Sequence, residues 1–125
     1  MTTRPEISVY CDGRLFLVNF DEIVLLEACG SYTLMYLTSD RVYKLSKNLK
    51  TVLSRLPESN SMLKVHRSYC LNIFFVDVIY YNEERRLTAK LKIGIDVPVT
   101  LFKMKAFSSL IVERTKDRRL LSFSL

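Results

Sequence analysis

The sequence predicts a mostly β protein with one internal helix and one C-terminal helix, on three observations. Over the first forty-five residues, polar and apolar side chains alternate in short runs separated by turn pairs, which is the period of a half-buried strand. That period gives way to helical three-and-four spacing after Ser46 and again after Thr100. Seven Tyr and seven Phe, with only three Gly and three Pro in 125 residues, supply a core and few breakers, so one globular domain spanning residues 1–125 is expected rather than two.

Residues 7–11 and 15–20 flank Asp12-Gly13, a pair that favours the tight turn of a hairpin. Residues 23–29 are aliphatic and β-branched, Gly30-Ser31 supplies a turn, and residues 32–38 alternate up to a further turn at Ser39-Asp40. Residues 41–45 would complete a meander. Leu49, Val52, Leu53 and Leu56 then fall at i, i+3, i+4 and i+7, with Ser46 as the expected N-cap and Pro57 just beyond the end, which predicts a helix of about three turns. Its polar face carries Lys47, Lys50 and Arg55. After a loop at 57–61 and a central stretch at 63–73, residues 74–81 and 87–93 are expected as strands around the charged turn 82–86. Gly94 allows a reversal before 95–99, where Pro98 argues for a sheet edge. Thr100 can cap a second helix from about 101 to about 113, with Phe102, Ala106, Phe107 and Leu110 as its apolar stripe. A basic run at 114–119 and an apolar tail at 120–125 follow, the tail open to an added strand, a partner contact or disorder.

The central stretch, L-K-V-H-R-S-Y-C-L-N-I, interleaves two chemistries. Val65, Tyr69, Leu71 and Ile73 suit a core, whereas His66, Arg67, Ser68 and Asn72 present donors outward. Arg is the best bidentate reader of a guanine edge, Asn pairs with an adenine edge, and Ser and His bond phosphate oxygens. The same run also fits a strand, a tight turn and part of a second strand whose polar face meets only water. Charge adds to the first reading: residues 1–40 hold two basic and six acidic side chains, a net of −4, whereas residues 41–125 hold seventeen and seven, a net of +10. Such asymmetry favours an anionic partner approached from one side.

Other classes are poorly served. One His, no Gly-rich phosphate loop, and His66 and Ser68 without a third group give no catalytic constellation, so no enzyme is expected. Cys11, Cys29 and Cys70 are odd in number with no C-x-x-C pair, which argues against a disulfide framework or a zinc site, and no cofactor is implied. No apolar run spans a bilayer and residues 1–8 lack a signal-peptide core, so the expectation is a cytoplasmic protein with no membrane partner.

His66, Arg67, Ser68, Tyr69, Leu71 and Asn72 resemble the H-R-S-[YF]-x-[VL]-N signature of the LytTR family, the mostly β DNA-binding domain of bacterial response regulators of the LytR and AgrA type. Residues 23–32, I-V-L-L-E-A-C-G-S-Y, resemble its I-x-x-[IL]-E-A-x-x-x-Y segment, residues 43–56 its single long internal helix, and V-P-V-T-L at 97–101 its I-P-V-S-R. The resemblance covers roughly 7–112, leaving 114–125 as the tail. It implies an elongated stack of small antiparallel β-sheets whose loops enter successive major grooves of promoter DNA, in a transcription regulator of a two-component system. Carried over by position, the reading loops are the turn at Gly30 to Tyr32, the turn at His66 to Ser68, and Thr100 to Lys103.

Within those loops the resemblance implies Arg67 as the base reader. Tyr32 would touch a base or phosphate, or serve as a cross-strand aromatic, and Asn72 would bond phosphate or, better, brace backbone. Lys47, Lys50 and Lys103 are candidate phosphate contacts. Where the family has an arginine, Leu101 stands here, so that contact is absent, or Lys103 replaces it, or Leu101 meets a thymine methyl. Two further function classes stay open: a non-enzymatic β domain for protein interaction or ligand sensing, which leaves the basic half unexplained, and an RNA-binding domain, which lacks a stacking platform. A receiver domain has no room in 125 residues, so a stand-alone regulator and the output part of a larger one are both open, as is a second copy on tandem sites.

Overall fold

The computed structural model describes residues 6–57 and 61–100. In them the alternating runs become β1 (Glu6–Cys11), β2 (Arg14–Asn19), β3 (Ile23–Cys29), β4 (Tyr32–Leu37), β5 (Val42–Leu45), β6 (Met62–His66), β7 (Tyr69–Asn72), β8 (Val76–Tyr81), β9 (Leu87–Leu91) and β10 (Asp96–Pro98). They pair into a β1-β2 hairpin, a five-stranded sheet in the order β5-β4-β3-β7-β6, and a three-stranded sheet in the order β10-β9-β8, all antiparallel. Asp12 and Gly13, at φ +54 and +74, supply the two positive dihedrals of a type I′ hairpin turn. Pro98 lies on an edge strand as expected, where its missing N–H need not break a ladder.

Two cores bind the layers. In the first, Val9 and Val18 of the hairpin pack with Ile23, Leu26 and Met35 of the central sheet and with Leu49 and Val52 of the helix. The second sets Val24, Leu25 and Leu71 against Leu87, Ala89, Leu91 and Val97. The five-stranded sheet is therefore the middle layer, with the hairpin and helix on one face and the three-stranded sheet on the other. This is the stack of small sheets that the resemblance implied. Sitting between both cores, β3 buries its first four residues outright, so it reads as a continuous apolar run rather than an alternation. A register shift between Ile23 and Leu25 marks Val24 as a bulge, and this turns Val24 and Leu25 together toward the second core.

The helix departs from expectation. It is α1 (Leu49–Ser54), six residues long, capped by Asn48 and not by Ser46. Residues 43–45, placed within a long helix by the resemblance, belong to β5. The reason is a tether: Thr33, fully buried, pairs with Leu45 and its hydroxyl donates to the Lys47 carbonyl at 2.9 Å. The chain is thus tied to the sheet until Lys47, and the first free acceptor is Asn48 Oδ1, which takes the Thr51 N–H at 2.9 Å. Residues 73–75, partly expected as strand, form a 3₁₀ turn before β8. The expected helix at 101–113, the tail at 114–125 and residues 58–60 of the loop lie outside the described residues.

Candidate nucleic-acid interface

One end of the five-stranded sheet collects the turns. Cys29 and Tyr32 are paired across Gly30-Ser31, where Gly30 at φ +64 fills the position of a two-residue turn that needs a positive dihedral. His66 and Tyr69 are paired across Arg67-Ser68, and a register shift leaves Val65 as the extra residue, fully buried in the second core. The two turns are joined directly, because the Ala28 N–H donates to the Ser68 carbonyl at 2.8 Å. Thr100 reaches the same place: its N–H and its hydroxyl both donate to the Val65 carbonyl, at 2.9 and 3.0 Å. The Thr33 tether brings Lys47 there from β5. Gly30 to Tyr32, His66 to Ser68, Thr100 and Lys47 are separated in sequence and meet at one sheet end.

The side chains there differ in freedom. Arg67 is exposed and has no side-chain partner among the described residues. His66 is half-buried; its Nδ1 accepts the Ser68 N–H at 3.1 Å, an arrangement that needs Nδ1 unprotonated. Its ring lies 5.5 Å from that of Tyr69. Tyr32 carries the Lys44 ammonium over its ring, 4.2 Å from the centroid, a cation–π contact that holds both at the turn. Lys50 is exposed in the first turn of α1. Lys103 lies outside the described residues.

Asn72 does not belong with the outward donors. It is 1% exposed: Nδ2 donates to the Ile23 carbonyl at 2.8 Å, and Oδ1 accepts from the Ser61 hydroxyl at 2.8 Å and the Phe74 N–H at 3.0 Å. It braces β3 and the 3₁₀ turn, at the end of β7 away from Arg67, and presents nothing to a nucleic acid. The alternation that pointed it outward stops at the turn it caps.

Two residues of this end escaped the sequence reading. Lys44, Leu34, Glu27, Tyr69 and His66 stand directly opposite one another across all five strands, a single row beside the turns. Glu27 sits at its centre, accepting the Tyr36 hydroxyl at 2.8 Å and the Tyr69 hydroxyl at 3.5 Å. Burial first, and then Glu27, pushes the Tyr36 phenol up to about 12. The Tyr69 phenol is raised for the same reasons, so both remain protonated donors at neutral pH. Strand parity alone could have found Lys44, since Tyr43 beside it is apolar and faces the first core. Glu27 had no signal beyond its place in a matching segment.

Among the described residues, no three His, Cys, Asp or Glu side chains group as a metal site, and no helix is long and apolar enough to cross a membrane. The layers and their end define a mostly β protein of three antiparallel sheets that gathers two turns, Thr100 and flanking lysines at one end of its central sheet. The family model of the LytTr DNA-binding domain matches residues 13–112, and the chain belongs to that family. Among solved structures it is similar to the LytTr DNA-binding domain of a putative methyl-accepting/DNA response regulator from Bacillus cereus, with a TM-score of 0.70 and 20% identity over 87% of this chain and 98% of that one. At that identity the likeness is one of fold. A search of curated proteins finds no match.

Proposed function

We propose that this domain binds promoter DNA sequence-specifically as the output of a transcription regulator, with its turns set into successive major grooves of one DNA face. The observation that carries this reading is the convergence of two tight turns, Thr100 and flanking lysines at one sheet end, with Arg67 projecting at its tip and unpaired among the described residues. Arg67 reads a guanine through O6 and N7. His66 and Ser68 shape the turn and meet phosphate, Tyr32 lies against a phosphate or base, and Lys50, Lys47 and Lys44 supply backbone attraction. Thr100 meets the DNA at the same sheet end, and Lys103, outside the described residues, adds a further cation. A receiver domain, or a second copy on a tandem site, is the partner that would set when and where the domain binds.

Binding-site selection on random duplexes, followed by salt titration on the selected duplex, a random duplex and a single strand, tests the reading. A selected motif bound more tightly than random duplex, with steep salt dependence, is the expected result. Equal affinity for all three, or none, would refute it.

A further inference from the structure

Arg67 must hold its planar fork against one base edge, yet its side chain has no partner among the described residues. What fixes its direction is the frame beneath it. The Tyr69 ring is held at its hydroxyl end by Glu27, 3.5 Å away, and flanked by the His66 ring at 5.5 Å. His66 Nδ1 in turn accepts the Ser68 N–H at 3.1 Å, and the Ser68 carbonyl accepts the N–H of Ala28, next to Glu27 on β3, at 2.8 Å. These contacts close a circuit around the base of Arg67. Tyr36 completes it from the other side, donating to the second carboxylate oxygen of Glu27 at 2.8 Å, so the carboxylate is fixed between β4 and β7.

We propose that Glu27 is a positioning residue for base readout, setting through Tyr69 the pose of the His66–Ser68 turn from which Arg67 projects. The inference rests on the assignment of Arg67 as the base reader. A carboxylate is otherwise unfavourable beside a DNA-facing row, since it repels phosphate. Two tyrosine hydroxyls face its oxygens: the 2.8 Å bond from Tyr36 fixes the carboxylate, and the Tyr69 hydroxyl, at 3.5 Å, is drawn toward that fixed charge. Bidentate recognition depends on geometry more than on charge, so slack in the turn lowers discrimination while leaving phosphate attraction intact.

Binding-site selection with the full chain, comparing the native protein with Arg67→Ala, Glu27→Ala, Glu27→Gln and Tyr69→Phe, distinguishes this from a purely structural role. Glu27→Ala and Tyr69→Phe should lose about three- to tenfold in preference at the same base position that Arg67→Ala flattens, the range expected for removal of one hydrogen bond. Affinity for random duplex should hold in both. Glu27→Gln, which keeps one acceptor oxygen for two hydroxyls and loses the charge, should lose part of the preference, less than Glu27→Ala does. Should Glu27→Ala not fold, Tyr69→Phe, which loses only a hydroxyl, carries the comparison. Native preference in Tyr69→Phe and Glu27→Ala, or a loss spread evenly over all positions, overturns the inference while leaving Arg67 in place. Unchanged preference in Arg67→Ala removes the assignment itself, and the inference with it.

Discussion

Arg67 and Asn72 lie five positions apart and show how the same outward-facing polar pattern yields opposite fates. Arg67 is exposed and its side chain has no hydrogen-bond or ion-pair partner among the described residues, so Arg67→Ala should leave the melting temperature unchanged while costing about 1 to 3 kcal/mol on the selected site. Arg67→Lys should restore charge without the fork and recover only part of the discrimination, read as the slope of affinity against base identity at one position. Asn72→Ala should do the reverse. It removes the buried amide, itself 1% exposed, that donates to the Ile23 carbonyl and accepts from Ser61 and Phe74, so urea unfolding should register a loss of about 1 to 3 kcal/mol, with base preference unaltered in the folded fraction. Arg67 was legible because a turn tip is where alternation and exposure agree. Asn72 was legible in part: bracing backbone was the favoured of its two roles, but its targets were hidden because its amide serves a 3₁₀ turn that begins at the next residue and a carbonyl on β3, and strand parity carries no information past a strand's end. The Cys70 thiol adds a third case: burial pushes it up to about 12, and a thiol reagent should label it only after unfolding.

At the scale of elements, the strands announced themselves and the helix did not keep its boundaries. The alternating runs of β1, β2, β4 and β5 survive nearly intact because each buries one face on a core, and period two is that geometry written in sequence, whereas β3, buried on both faces, shows as an unbroken apolar run. The helix lost its first turn to Thr33, thirteen residues before Ser46, through a bond no local pattern reveals. Its real cap predicts a cost: Asn48→Ala should destabilise the protein by about 1 kcal/mol, whereas Ser46→Ala should change little, by urea unfolding of both. The Tyr36–Glu27–Tyr69 bridge links three strands and gives a pH signature. The Tyr36 phenol, ordinarily near 10, rises to about 12 in the folded protein, so the folded state holds that proton more tightly than the unfolded chain. Its contribution is complete below pH 10 and is lost as pH climbs toward 12. Unfolding free energy measured across that window should fall with a shallower slope in Tyr36→Phe than in the native protein; equal slopes would show that the bridge carries no proton linkage.

Across the described residues, charge is graded along the strands of the middle sheet, with Arg41 beside Asp40 and Glu27 near the turns as exceptions. Asp21 and Glu22 precede β3, and Asp40 lies between β4 and β5, all at the end opposite Gly30 and Arg67. Lys44, Lys47 and Arg67 occupy the other end, and Lys50 follows Lys47 by three residues, in the first turn of α1. The sequence showed this as an acidic first third and a basic remainder. Only the fold turns that linear asymmetry into a spatial one, because antiparallel pairing brings β3, β4 and β7 to a common edge from distant positions. A sheet polarised in this way should be steered onto DNA by one end. Each lysine that neutralises a phosphate contributes roughly −0.9 to the slope of log affinity against log salt on duplex DNA. Replacing Lys44, Lys47 and Lys50 by Ala one at a time should therefore flatten that slope by roughly 0.9 in each variant, equally on selected and random duplex, because phosphate carries no sequence. Lys44 should differ in one respect: its ammonium also rests on Tyr32, so Lys44→Ala should disturb preference at the base nearest the Gly30–Tyr32 turn, and Lys47→Ala should not. Neutralising Asp21 at the far end is the control, and should leave the slope close to native. Were the slope to change more for Asp21→Asn than for Lys47→Ala, the DNA would have to lie against the opposite end of the sheet, and the assignment of both turns would have to be abandoned.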